Sequence, residues 1–203
     1  MSVTIRNIAP DLLDKAIDVY TRAFINDPLH LYAFFDLNRR INLTRLVYEL
    51  VVKDIVPVME RKLIGAFISN ELVGVGIYST PESKQDWDES LNEAVKKMQE
   101  KANDDSIYII GEYASMCADF RPEKPHYYIT DIAVRPDRQG KGIGGMIMKY
   151  IIDESEKHSD VDGIWLDTTN EKNMKWYKTM GFEVESEFFF HKLKCYTMYK
   201  PAL

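Results

Sequence analysis

Cysteine is almost missing from this chain: among its 203 residues only Cys117 and Cys195 carry a thiol. Two isolated cysteines exclude a disulfide framework, and no Cys/His spacing has the form of a zinc site. The four histidines, His30, His126, His158 and His191, are equally scattered, so no metal is expected. Long apolar runs are lacking too. Nothing approaches a membrane span, and the opening "MSVTIRNIAPDLL" lacks the basic-then-apolar order of a secretory leader. The expectation is a soluble, cytoplasmic protein with no membrane partner. Positive charge is not in surplus either. A formal net charge of −6 gives no broad basic footprint for nucleic acid, which leaves a small molecule as the expected partner. The sequence is silent on oligomeric state, and a homodimer is allowed.

What is present suits one sizeable core. Hydrophobic residues make up 45% of the chain and aromatic residues 12%, enough for a single domain over 1–203. "SVTIRNI" alternates like a first strand, and Pro10-Asp11 opens a helix whose Leu13, Ile17, Tyr20 and Phe24 recur at helical spacing. "INDPLH" reads as a turn. A second helical pattern runs from Arg40 to Met59, and "KLIGAFIS" and "LVGVGIYST" then form a hairpin through Asn70-Glu71. The charged stretch from Pro81 to Asp105 keeps an apolar stripe, Trp87, Leu91, Val95 and Met98, as a solvated surface helix does. "SIYIIGEYASM", "HYYITDIAV" and "GIWLDTT" are rich in β-branched and aromatic residues and are expected to be central strands. A helix from Gly144 to His158 precedes the third. Thr168-x-x-Glu171 has the form of a capping box for a last helix, "NEKNMKWYKTM", with Gly181 as its left-handed terminator. "FEVESEFFF" and "KLKCYTMYK" close the chain. The expected fold is α/β (α+β), with a mixed, mostly antiparallel central sheet of about six or seven strands flanked by helices.

Within this pattern stands "AVRPDRQGKGIGGMIMKYII", Ala133 to Ile152, with a literal G-x-G-x-x-G at Gly140, Gly142 and Gly145. A dinucleotide fingerprint puts its first glycine at the strand end and an acid about 20 residues on. Asp167 stands at that distance. However, "RPDRQ" separates the strand from Gly140, and the 36 residues after Asp167 cannot supply the remaining crossovers. The Gly-Lys-Ser/Thr ending of a P-loop is also absent. More general physics remains: glycines around Lys141 and Ile143 let backbone N–H groups converge, and the helix N-terminus adds partial positive charge. A pyrophosphate is the natural ligand, with Arg138 and Lys141 adding charge. A turn that is glycine-rich for packing alone is the competing reading.

Two elements decide between them. "ITDIAVRPDRQGKGIG" sets Gln139, Gly142 and Gly144 after a strand and at the start of a helix; "GIWLDTTNEKNMKWYKTMGF" gives a strand, an Asn, a helix carrying Tyr, and Gly-Phe. Together they resemble the GNAT acetyltransferase superfamily. "HYYITDIAVRPDRQGKGIG", "LDTTNEKNMKWYKTMGF" and "CYTMYKP" look similar to its puromycin N-acetyltransferase-like branch. The resemblance covers about His126 to Phe182 plus the last strand. It implies a single GNAT-like domain with an acetyl-CoA core over about 126–182, and an acceptor site to which about 1–60 contributes. The implied reaction is direct acetyl transfer to a primary amine in a ternary complex, with the acceptor unnamed.

The resemblance also implies roles. It lays the pantetheine arm as a pseudo-strand beside Ile132, Ala133 and Val134, which requires that strand to splay from "GIWLDTT". It sets the pyrophosphate on Arg138, Gln139, Gly140, Lys141, Gly142, Ile143, Gly144 and Gly145. The Val134 amide, or one beside it, would donate to the thioester oxygen. Tyr177 is the candidate general acid, because a phenol (pKa about 10) outlasts a thiol (about 8.5) in its protonated form; packing on the sheet is its alternative role. Asn173, one turn earlier, matches a cofactor-contacting position, and Asn170 is either a neighbour or a helix cap. Asp131 and Glu112, the latter on the preceding expected strand, are the two candidates for the base, or for binding the substrate ammonium electrostatically. His126 is expected to be structural or exposed. Phe24, Tyr32, Phe34 and Phe35 suit either an acceptor wall or core packing. Neither cysteine has a base beside it in sequence, so no acetyl-enzyme is expected. Two rivals stand: a non-catalytic acyl-CoA sensor of the same fold, and an NAD-dependent oxidoreductase.

Overall fold

The computed structural model describes residues 2–202. Strand β1 (Thr4–Asn7) leads through a 3-10 turn at Pro10–Leu12 into helix α1 (Leu13–Phe24), which buries Ala16, Ile17, Val19 and Tyr20. Helix α2 (Pro28–Ala33) starts where "INDPLH" read as a turn. Asp27 caps it, accepting from the Leu29 amide at 3.0 Å, and Pro28 fills the first position, where no N–H is needed. Helix α3 (Leu37–Leu50) continues into a widened π turn, Val51–Ile55, before Val56–Val58. The widening makes room for Pro57, whose ring would otherwise meet the carbonyl one turn back.

Strands β2 (Lys62–Ile68) and β3 (Glu71–Ser79) form the expected hairpin, with Ser69 and Asn70 both left-handed at φ 48° and 66°. Helix α4 (Asn92–Ala102) is the expected surface helix. Helix α5 (Tyr108–Ala118) corrects the reading of "SIYIIGEYASM" as a strand. Ile109, Ile110, Tyr113, Met116 and Cys117 recur at helical spacing and pack on Trp165, Phe190 and Cys195. A short β-branched run fits either period, and tertiary burial selected the helical one. Strand β4 (His126–Val134), helix α6 (Ile143–Ser155), strand β5 (Gly163–Thr168), helix α7 (Glu171–Lys178) and strands β6 (Glu183–Phe190) and β7 (Leu193–Pro201) complete the chain. Thr168 does not cap α7. It stays in β5 opposite Tyr196, and the cap is Asn170, whose side chain accepts from the Lys172 amide at 3.0 Å.

Among the described residues, seven strands form one mixed sheet in the order β1-β2-β3-β4-β5-β7-β6, flanked by α1 to α7. Among the described residues only β4 and β5 run parallel, joined by α6 as a crossover. One face packs on α6 and α7 through Tyr127, Ile129, Ile147, Leu166 and Met198; the other packs on α1 and α3 through Ala16, Tyr48, Val75, Ile77 and Ala133.

Candidate active site

Strands β4 and β5 begin paired and then part. Their ladder runs from His126–Gly163 to Ile129–Leu166 and stops. Asp131 to Val134 remain paired to β3 on their other side, so the splay expected of this strand is present and leaves an edge without a ladder partner. A bulge lies at the fork, where Ile77 faces Asp131 and Tyr78 faces Ile129, leaving Thr130 as the extra residue. Ile129 below it and Ile132 and Val134 above it all pack on the α6–α7 side. The bulge therefore resets the alternation and turns Asp131 to the α1–α3 side.

The glycine loop sits at the far end of that edge. Gly140 and Gly142 are left-handed at φ 73° and 78°, and an added Cβ at either, or at Gly145, would meet nothing within 4 Å. Gly142 starts α6 without a side-chain cap, and the first helical bond runs from the Met146 amide to the Gly142 carbonyl at 3.0 Å. The amides of Ile143, Gly144 and Gly145 thus have no helical acceptor. A Cβ at Gly144 would lie 3.7 Å from the Trp176 ring, at ordinary packing distance. The Gln139 side-chain amide donates to the Val134 carbonyl at 3.0 Å and ties the loop to the strand. Arg138 is paired with Glu71 at 3.0 Å, whereas Lys141 is exposed and donates to the Asp137 carbonyl. Uncapped amides and open space fit a pyrophosphate.

Three carboxyls face the fork. Burial, then the negative charge of Asp167, pushes Asp131 up to about 8, and the Tyr48 hydroxyl donates to it at 3.3 Å. Burial also raises Asp167, which accepts from the Tyr113 hydroxyl at 2.6 Å and, on its other oxygen, from Tyr128 at 2.8 Å. Asp27, at the start of α2, is pushed up to about 6 by burial, with Asn170 beside it. Tyr177 is 9% exposed, and among the described residues its hydroxyl has no hydrogen-bond partner. Burial raises its phenol above the ordinary value, and so do the charges of Asp131, Asp167 and Asp27 in turn. Its backbone is clamped: Met180 and Phe182 amides both return to the Tyr177 carbonyl, and Gly181 takes the expected left-handed turn at φ 88°.

Other candidates lie elsewhere. Glu112 is not on a strand but on the exposed side of α5, 4.0 Å from His191. Asn173 is half-buried one turn before Tyr177, and Asn170 caps the helix. His126 is buried, its Nδ1 against the Lys124 carbonyl at 2.7 Å, a structural role. The four aromatic residues expected as an acceptor wall diverge. Phe24 packs on Tyr48, Phe34 is in the core, Tyr32 stacks on His191, and Phe35 is 83% exposed. Sequence reasoning missed Tyr48, Tyr113, Tyr128 and Asp27, and weighed Asp167 only as a ribose ligand. A signal existed for Asp167, a lone carboxylate in an apolar strand as Asp131 is.

The family model described as the acetyltransferase (GNAT) family matches residues 43–182. The chain belongs to that family. It is an acyltransferase of the GNAT kind, a family whose acyl donor is acetyl-CoA. Solved structures share its fold. A Corynebacterium glutamicum protein described as histone acetyltransferase HPA2 and related acetyltransferase is 20% identical, with TM-score 0.72, covering 100% of this chain and 98% of its own. The PaiA N-acetyltransferase of Thermoplasma acidophilum, solved with coenzyme A, is 15% identical, with TM-score 0.61 and 99% coverage of both chains. The ribosomal-protein-S18-alanine N-acetyltransferase of Escherichia coli is 14% identical, with TM-score 0.59, covering 100% and 96%. At these identities the likeness is one of fold. No helix among the described residues is long and apolar enough to cross a membrane.

Proposed function

We propose that this GNAT protein acetylates a primary amine of a small cytoplasmic molecule by direct transfer, with Asp131 as base and Tyr177 as acid. The observation that carries this reading is the pairing of those two groups at the fork, one carboxyl near pKa 8 and one phenol whose hydroxyl has no partner. Likeness of the motifs to the puromycin N-acetyltransferase-like branch supports a small-molecule acceptor.

Acetyl-CoA, when bound, supplies an activated acetyl group as a thioester. The edge of Ile132, Ala133 and Val134 offers backbone groups to the pantetheine arm, and an amide there polarises the carbonyl. Gly140 to Gly145 hold the pyrophosphate on the uncapped amides, with Lys141 adding charge; Arg138 and Gln139 brace the loop against Glu71 and Val134. Asn173 borders the thiol end. Asp131 takes the proton that the amine loses as nitrogen bonds to the acetyl carbon. At about 8 it is a far stronger base than an ordinary carboxylate of about 3.9. Tyr177 gives its proton to sulfur as the carbon–sulfur bond breaks, and regains one from Asp131 through solvent. Both cysteines are buried and burial raises their thiols, which supports transfer without an acetyl-enzyme.

Tyr177→Phe tests the reading. It should lower kcat by about 10²–10⁴ while acetyl-CoA affinity holds. A sensor of the same fold would instead bind acetyl-CoA and show no turnover in the wild type with any amine.

A further inference from the structure

Resting on that reading, we infer that His30 and Tyr20 are positioning residues for the base: they orient the ring of Tyr48 so that its hydroxyl reaches Asp131. Near-parallel rings from three helices carry this. The Tyr48 ring of α3 stacks with Tyr20 of α1 at 4.6 Å between centroids and 6° between planes, and with His30 of α2 at 5.9 Å and 7°. Phe24, at the end of α1, tilts against Tyr20, Tyr48 and His30 at 6.2, 5.4 and 5.9 Å, and Phe34 meets His30 edge-on at 5.6 Å. Rings packed at defined angles on several sides have their tilt set as well as their place.

One hydrogen bond locks the stack to the helix that carries Tyr48. His30 Nδ1 lies 3.1 Å from Thr44 Oγ1, and Thr44 is one turn before Tyr48 on the same side of α3. Both partners are buried. Burial lowers His30 to about 4, so its ring is neutral wherever Asp131 titrates and what it offers the site is a flat surface. The Tyr20 hydroxyl is buried with no partner among the described residues, so α1 likewise contributes a ring and not a bond. Orientation matters here because the bond it serves is long. At 3.3 Å the Tyr48–Asp131 contact exceeds the usual O–H···O range of about 2.5–3.0 Å, and a slight tilt of the ring ends it. Losing that donor raises the carboxyl. Asp131 also faces Asp167 of β5, Asp27 at the start of α2, Arg61 ahead of β2, Tyr20 of α1 and Tyr177 of α7. Thr44→Val leaves every one of them in place.

NMR titration of the protein isotope-labelled at its aspartate carboxyl carbons tests this, alongside pH profiles of CoA release. The Asp131 resonance, assigned by its loss in Asp131→Asn, reports the carboxyl whether or not an acceptor is turned over. Thr44→Val keeps the shape of the side chain and deletes the lock. It should raise the midpoint of Asp131 by about 0.5–1 in pH and lower kcat/KM at pH 7 by about three- to tenfold, with rates converging on the wild type at alkaline pH. Tyr20→Leu and His30→Leu, which remove a ring, should do the same; Tyr20→Phe, which keeps the ring, should leave the resonance in place. In a Tyr48→Phe background Thr44→Val should move it no further, since a residue acting through that hydroxyl has nothing left to act on. Thr44→Val decides alone if a leucine variant does not fold. A midpoint unmoved by Thr44→Val in the folded protein, moved as far in the Tyr48→Phe background, or moved as far by Tyr20→Phe as by Tyr20→Leu, overturns the inference and leaves the acetyltransferase reading standing. If the midpoint moves and the rate profile does not follow, the inference holds and Asp131 is not the base. If no amine is turned over, the proposed function fails, and the resonance by itself decides the inference.

Discussion

Tyr48, on the helix covering the sheet, donates its hydroxyl to Asp131 at 3.3 Å. That bond opposes the burial and the Asp167 charge that raise the carboxyl. Tyr48→Phe therefore lifts Asp131 further above about 8. The base is active when deprotonated, so kcat/KM should rise with pH through about 8 in the wild type and through a higher value in the variant. At pH 7 the variant should be slower by several-fold, about one hydrogen bond's worth, and should converge on the wild type at alkaline pH. A pH–rate profile of the pair checks it; equal inhibition at every pH would mean that Tyr48 only fills space.

The same carboxyl sets a stability trend. Its folded pKa of about 8 exceeds the ordinary value of 3.8, so between those two values the folded state binds more protons than the unfolded state. Stability then falls as pH rises through that window. Asp131→Asn removes the penalty, and it should abolish most turnover while raising Tm at pH 8.5 by about 3–6 °C relative to the wild type. At about pH 3, below the ordinary value, where the carboxyl is mostly neutral both folded and unfolded, the two melting temperatures should draw together. Scanning calorimetry at the two pH values checks both halves.

These predictions turn on residues that differ in how openly the sequence announced them. Gly140 and Gly142 were legible because a left-handed backbone selects for glycine, and "ITDIAV" and "IWLDTT" each exposed a lone carboxylate in an apolar strand. The side of the sheet that Asp131 faces was not legible. It depends on one extra residue, Thr130, in a bulge that no local pattern marks. Tyr113 was hidden because Ile107, Ile109 and Ile110 read as a strand, where it could not reach β5. Asp27 and Tyr177 are distant in sequence, and only the fold, which sets Asp27 beside Asn170 at the start of α7, brings them into one field.

Gly142 offers a test of the loop that does not touch the acceptor side. An alanine there meets no atom within 4 Å, but must hold φ 78°. Gly142→Ala should cost about 1 kcal/mol in stability and loosen the uncapped amides of α6. The expected result is CoA affinity lowered by about tenfold, with kcat at saturating acetyl-CoA changed little. Affinity equal to wild type would remove the loop from the coenzyme site.

Asp167 is held by two phenols, one on each oxygen, and the geometry predicts that they do not act independently. Removing either hydroxyl leaves the other as the main donor to a buried carboxylate, so Tyr113→Phe or Tyr128→Phe should each cost about 1–2 kcal/mol. With both gone, the carboxyl loses the two bonds that most strongly oppose its rise on burial, and it protonates at a higher pH. Protonation spares the fold the burial of an uncompensated charge. The double variant should therefore be less destabilised than the sum of the singles by about 0.5–3 kcal/mol of coupling. Denaturant melts of the four proteins at pH 7 measure that coupling, and strict additivity would show that Asp167 stays ionised without its donors.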